Sequence, residues 1–307
     1  MIKLKIILNN FLKILSLLFL LSCCSFNKPL LEKQINNLKS TYNIFGVIES
    51  FSPLMISGNQ FNISKDLLEG IDNKNNYITS LKVGNYVFGQ YEISNEVNHI
   101  IYLDKNISII GPISLVSENQ IVVLGQTINL LSLVSKEVNE YMPGYWVLVT
   151  GIQKNEGNII ATSIDLIPSQ PFGYLRGKVS EINDKKIFIG SQEFSLRSPY
   201  GATVSGDIVG VKYSLKRDKF IIFDMQNFSN QFMDFNYKKV VIDGYVSKGD
   251  NKKLRISGFP FFINNSDFLE EGIRIVSKGK ILPGSIFHIE SYKQLSVDRE
   301  FISKQQK

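Results

Sequence analysis

Short runs of valine, isoleucine, leucine, tyrosine and phenylalanine, alternating with polar residues and broken by glycine, recur along most of this chain. They predict β-strands rather than helices. The runs fall into four copies of one pattern. A glycine followed closely by valine or isoleucine opens each copy: Gly46-Val47, Gly111-Pro-Ile113, Gly177-Lys-Val179 and Gly244-Tyr-Val246, at spacings of 65, 66 and 67 residues. A second strand ends in glycine each time, as in Leu54-Met-Ile-Ser-Gly58, Ile121-Val-Val-Leu-Gly125, Ile187-Phe-Ile-Gly190 and Leu254-Arg-Ile-Ser-Gly258. A third apolar run follows at once, so the pair reads as a hairpin. Later a glycine starts a fourth strand: Gly84-Asn-Tyr-Val87, Gly144-Tyr-Trp-Val147, Gly206-Asp-Ile-Val209 and Gly284-Ser-Ile-Phe287. Closing strands are expected at residues 99–103, 159–164 and 220–224, with a weaker counterpart at 294–297.

Between the third and fourth strands, residues 64–69, 131–138 and 266–271 have the serine or aspartate and the acidic first turn that suit a short helix. The third copy has a turn, Ser198-Pro-Tyr-Gly201, in that place. Five short strands with an insert between the third and fourth describe an OB-like barrel. The chain therefore reads as mainly β, with four tandem OB-like small β-barrel repeats of about 66 residues at 43–105, 106–170, 171–236 and 237–300, and a tail at 301–307. A unit that small buries little surface alone, so neighbouring copies should pack together. The pattern resembles a bacterial domain family of unknown function found in exported proteins and lipoproteins, whose members contain OB-like modules, often in tandem. That resemblance implies fold and compartment, and no mechanism.

The first 22 residues differ in kind. Three lysines, at 3, 5 and 13, precede an apolar run over residues 14–21 that ends at Ser22-Cys23-Cys24. A charged start, a short apolar stretch and a small residue before a cleavage point form an export signal. The run is far shorter than the roughly 20 residues a transmembrane helix needs. Leu20-Leu21-Ser22-Cys23 resembles the bacterial lipobox. This resemblance implies a signal peptide at 1–22, a diacylglycerol on the Cys23 thiol and a tether at 23–42, with Cys24 as the rival lipidation site and an ordinary secretory signal as the alternative. Several acyl tails exceed the two signals that stable anchoring requires. The residue after Cys23 is not aspartate, which favours an outer membrane, facing the periplasm, where the cell has one. These are the only two cysteines in the chain, so neither a disulfide framework nor a cysteine-based zinc site is expected in the folded part.

Charge refines this picture. The net +6 includes the three lysines of the signal segment. Residues 23–171 carry 9 Lys/Arg against 13 Asp/Glu, whereas residues 172–307 carry 22 against 15. A basic second half can serve an anionic partner, or simply solvate strand edges, where lysine blocks edge-to-edge pairing.

Candidate chemistry is sparse. The two histidines, His99 and His288, sit in different copies, and no metal-ligand spacing occurs. No Gly-x-Ser-x-Gly elbow, phosphate loop or dinucleotide-binding run is present, so no cofactor is expected. Aromatic residues are the better lead, because OB-like barrels bind by stacking. Tyr145 with Trp146, and Tyr213 beside Lys212, Lys216 and Arg217, are the candidate ligand-binding residues; Phe259, Phe261 and Phe262 form a further aromatic group. Neighbours on a strand face opposite ways, so Tyr145 and Trp146 cannot both serve one surface. The resulting expectation is a lipid-anchored, non-enzymatic binding or scaffolding protein of the cell envelope. Its partner would be an envelope protein or an anionic glycan, and not nucleic acid. The alternative is a hydrolase acting on cell wall or glycan, with convergent acids in a cleft between copies.

Overall fold

Alternating burial fixes the short strands: in Lys186–Ile189 the side chains of Ile187 and Ile189 are fully buried while Lys186 is exposed. The computed structural model describes residues 41–64, 67, 80–130, 140–198, 203–217, 219–229, 238–249, 253–264 and 268–295. The signal segment, Cys23, the tail, the expected helical turn at 131–138 and most of that at 64–69 lie outside the described residues, whereas the described part of the third, 268–271, is turn and irregular chain rather than helix.

The protein is mainly β, and its strands close on themselves. In the first circuit β1 (Thr41–Phe51), β2 (Leu54–Ile56) and β3 (Asn59–Ile63) run antiparallel in series. Strand β3 pairs in parallel with β5 (Val97–Lys105), which pairs with β4 (Tyr86–Ser94), which returns to β1. Closure leaves no free edge within the circuit. The same order of pairings joins β6 (Ile107–Ser117), β7 (Gln120–Val123), β8 (Gln126–Asn129), β9 (Trp146–Asn155) and β10 (Asn158–Ile167). It joins β11 (Gly173–Ile182), β12 (Lys186–Ile189), β13 (Gln192–Ser195), β14 (Ile208–Lys216) and β15 (Lys219–Asn227) in turn. A last set comprises β16 (Lys239–Lys248), β17 (Leu254–Ile256), β18 (Phe262–Asn264), β19 (Arg274–Leu282) and β20 (Ile286–Leu295).

The opening glycines have a different place from the one the sequence pattern gave them. They lie inside the first strand of each circuit rather than at its start, and each faces the hairpin that folds over it. A Cβ on Gly46 would come within 2.8 Å of Ile56 Cγ2, and one on Gly177 within 2.6 Å of Ile189 Cγ2. Glycine is needed there because the long first strand bends tightly across its own hairpin. Irregular register just beyond the glycine, between Ile48 and Ser50 and again between Val179 and Glu181, marks the bend.

Two expectations in the last circuit are corrected. Gly284 does not start the fourth strand; it sits in the turn between β19 and β20. The counterpart of Gly144 (φ +90°) is Gly272 (φ +86°), just before β19. Arg274 opens that strand and two lysines interrupt it, so no apolar run announces it. The closing strand is Ile286–Leu295, well before the expected 294–297.

Circuits join through their first strands. Strand β1 lies parallel to β16, with Ile44 opposite Val241, and β6 runs antiparallel to β11, with Tyr174 opposite Ile110. The first circuit thus pairs with the last, and the second with the third. One apolar cluster combines Phe45, Val47 and Tyr86 with Ile152, Ile160 and most of the β16–β20 interior. Full burial of an aliphatic side chain such as Ile56 or Ile242 contributes about 1.5–3 kcal/mol.

Candidate functional site

The residue just before each opening glycine points out of its own barrel toward a neighbour. These residues are Phe45, Ile110, Arg176 and Asp243. The first three line one cleft of about 510 Å³, formed between the first and third circuits over the β5–β6 junction. Asp243 is buried at a seam and pairs with Arg274.

The cleft wall is largely aromatic. Phe45 and Phe88 are directly opposite on β1 and β4, with ring centroids 4.9 Å apart, and Tyr102 stands 5.9 Å from Phe88. Across the cleft lie Phe172, Tyr174 and Phe228. Alternation along β11 turns Tyr174 and Arg176 to the same side.

Arg176 is the central polar group. Its Nη1 donates to Asn106 Oδ1, and its guanidinium carbon stands 4.6 Å from the centre of the Phe228 ring. Among the described residues no carboxylate lies within ion-pair distance of it. Burial lowers its proton affinity, against the pull of the Tyr174 and Tyr86 phenols, though a guanidinium stays charged. The side chain is half-buried: protein atoms surround it, and its open surface faces the cleft and a small pocket near Tyr86. Arg274 makes the contrast. Its Nε and Nη2 donate to Asp243 Oδ1 and Oδ2, each at 2.8 Å.

Two lysines flank the cleft. Lys105 is 7% exposed. Burial lowers its pKa, Asp165 and Asp104 oppose that change, and Lys82 reinforces it. Lys212 sits on the rim and pairs with Asp224 at 2.9 Å, both half in solvent. Asp104 is the one carboxylate on the lining among the described residues, and it accepts from the Tyr102 hydroxyl at 3.1 Å.

Of the sequence candidates, only Lys212 reaches this cleft. Tyr213, its neighbour, is corrected to a core residue: it is 1% exposed inside the third barrel, packs on Phe194 and Phe220, and donates to the Ile110 carbonyl at 3.4 Å. Burial pushes its phenol well above the usual range. Lys216 and Arg217 are exposed at the β14–β15 turn, away from the lining. Tyr145 is exposed at the turn before β9 and Trp146 is half-buried at its first position, so the structure does not bring them to the cleft either. Phe259 and Phe261 are core residues, and Phe262 is half-buried under Lys253.

A second cleft, of about 220 Å³, has two carboxylates on its lining, Glu156 and Glu271. Each is paired with a lysine, Lys178 at 3.4 Å and Lys248 at 3.0 Å. Hydrogen bonding to Lys248 holds the Glu271 carboxyl below its ordinary range. A general acid for glycoside cleavage needs the opposite displacement.

Residues 110–165 match a family described as a Domain of unknown function (DUF5666), a span that falls within the β6–β10 circuit. No curated protein matches the chain. Among solved structures, a multidomain protein with nucleic acid binding domains from Streptococcus pneumoniae is similar over 65% of this chain and 79% of that chain, at 14% identity and a TM-score of 0.18.

Proposed function

We propose that this chain is a lipid-anchored, non-enzymatic binding or scaffolding protein of the bacterial cell envelope, built as a row of four OB-like modules. In this reading Cys23 carries the lipid and residues 23–42 tether the modules to the membrane, the outer one where the cell has two. The recurrence of one strand circuit, with first strands that start at Thr41, Ile107, Gly173 and Lys239, supports the modular reading. The observation that carries the binding reading is the cleft of about 510 Å³, walled by aromatic rings from two different circuits. Clefts of this size and lining are the usual form of a ligand site. Among the described residues its lining holds one acid, Asp104, whereas glycoside hydrolysis uses two. In this reading nucleic acid is not the ligand, because the modules face the envelope rather than the cytoplasm.

Crosslinking in living cells, followed by purification of the tagged full-length protein from the membrane fraction, tests the proposal. Reproducible recovery of one envelope protein or glycan is the expected result. Recovery of the protein from the soluble cytoplasm, or turnover of purified cell wall by the protein alone, would overturn it.

A further inference from the structure

Arg176 and Arg274 are both enclosed cations, and among the described residues only Arg274 has a counterion. Arg274 shares two hydrogen bonds with Asp243 at a seam. Arg176 has a neutral amide on one nitrogen and a phenyl ring against one face. A guanidinium offers five N–H donors, and the bond to Asn106 occupies one of them. Removing such a cation from bulk water is costly unless charge or strong acceptors meet it. Arg176 opens onto the aromatic cleft, with Lys212, itself paired with Asp224, on the rim.

We infer that the cleft binds a small organic anion, with its carboxylate or phosphate head on Arg176 and a flat apolar body between the rings of Phe45, Phe88, Tyr174 and Phe228. This rests on the binding reading above and names the ligand class. The guanidinium fork suits either head, because both present paired oxygens. The aromatic walls suit the body, because ring pairs gain from offset or edge contact beyond area burial. Against Phe228 the guanidinium is already held in one orientation, so little further freedom is lost on binding. Asp104 lies on the same lining and accepts from Tyr102, which places one negative charge in the cleft for the anionic head to avoid.

Photolabelling of the full-length chain with 4-benzoylbenzoate, read by peptide mass spectrometry, locates the site. Competition with 2-naphthoate, 2-naphthyl phosphate and the neutral 2-naphthamide then defines the head. Labelling is expected within residues 172–176 or 226–228. One of the two anions should compete at a concentration about ten to a hundred times lower than the amide, as a charge-assisted hydrogen bond predicts. Stronger competition by the carboxylate or by the phosphate identifies which head the site takes. The Arg176→Met variant should lose that preference, and Lys212→Met, a change on the rim, should weaken it only partly. Equal competition by the amide on the unaltered protein, or labelling confined to other regions, overturns the inference without reliance on any variant. If cells yield an envelope partner while the amide competes as well as the anions, the binding reading stands and the anion inference fails. If the cleft is labelled with anion preference while cells yield no partner, the reverse holds.

Discussion

Arg274 and Asp243 lie 31 residues apart in the chain and form the one ion pair among the described residues in which both side chains are almost wholly removed from solvent, 5% and 0% exposed. The pair also fastens two circuits together. Asp243 Oδ2 accepts a 2.6 Å bond from Ser57 Oγ of the first barrel, and its carbonyl accepts from the Tyr86 hydroxyl at 2.8 Å. Burial alone would weaken the Arg274 proton affinity; the Asp243 charge and hydrogen bonds outweigh it and raise the pKa. Arg274→Met would leave a buried carboxylate with one hydroxyl for company. A loss of about 3–5 kcal/mol is expected in urea unfolding, against a much smaller loss for the double replacement Asp243→Leu with Arg274→Met. A double loss equal to the sum of the Arg274→Met and Asp243→Leu single losses would show that the charges do not interact.

The seam between β6 and β11 is tightest at Gly173. A Cβ there would overlap the Tyr213 ring and approach the Ile110 carbonyl oxygen to 2.6 Å. Gly173→Ala should cost about 1–3 kcal/mol through overpacking and should alter the near-ultraviolet circular dichroism of the buried tyrosine. Gly144→Ala meets open space but imposes a left-handed backbone (φ +90°), so a loss of about 1–2 kcal/mol is expected without a change in the tyrosine signal.

Lys105 gives stability a pH dependence of definite sign. Its folded-state pKa is lowered, chiefly by burial, from the ordinary 10.5. Between the lowered value and 10.5 the unfolded chain binds the proton and the folded protein releases it, so stability contributed by this group rises with pH through that window. Below the window the penalty is fully present. Unfolding of the wild type and Lys105→Met should therefore differ most near neutral pH and converge as pH approaches 10.5. Tyrosines such as Tyr91, pushed up to about 12 by burial and by Tyr42, titrate in both proteins and cancel in the difference. A gap that stays constant across this range would refute the assignment.

For the anchor, Cys23→Ser should abolish incorporation of labelled fatty acid and leave unprocessed precursor in the membrane. Labelling that persists in this variant and disappears in Cys24→Ser would move the lipid by one residue.

Much of the strand layout was legible because the physics behind it is local. Glycine at Gly125 (φ +66°) is where the chain reverses, and a polar residue ahead of alternating apolar ones, as in Gln120–Val123, tells a strand with one buried face. Failure came where a buried charge replaced an apolar residue. Arg274 at the head of β19 hid that strand, and nothing in the local pattern singled out Arg176 in β11. The cleft was missed for a related reason: its rings come from β1, β4, β5, β11, the segment before β11 and the residue after β15, and only the pairing of circuits brings them together. One signal was available. The position before the opening glycine is Phe45 and Ile110 in two copies but Arg176 and Asp243 in the others, and two charges at an otherwise apolar position mark a site of divergence.

The parallel pairing of Asn43–Phe45 with Val240–Ile242 has a consequence for the order of events during synthesis. A ribosome delivers the amino end first, at about 5–20 residues per second. The first barrel can close its own hydrogen bonds early, yet the outer side of β1 and the apolar surface of Phe45 and Val47 wait for residues that emerge almost 200 positions later. Until then the nascent protein presents a strand template to any passing chain. Chaperone demand should therefore peak late in elongation and end abruptly when β16 docks, and a ribosome stalled near position 236 would hold the most aggregation-prone form of this protein.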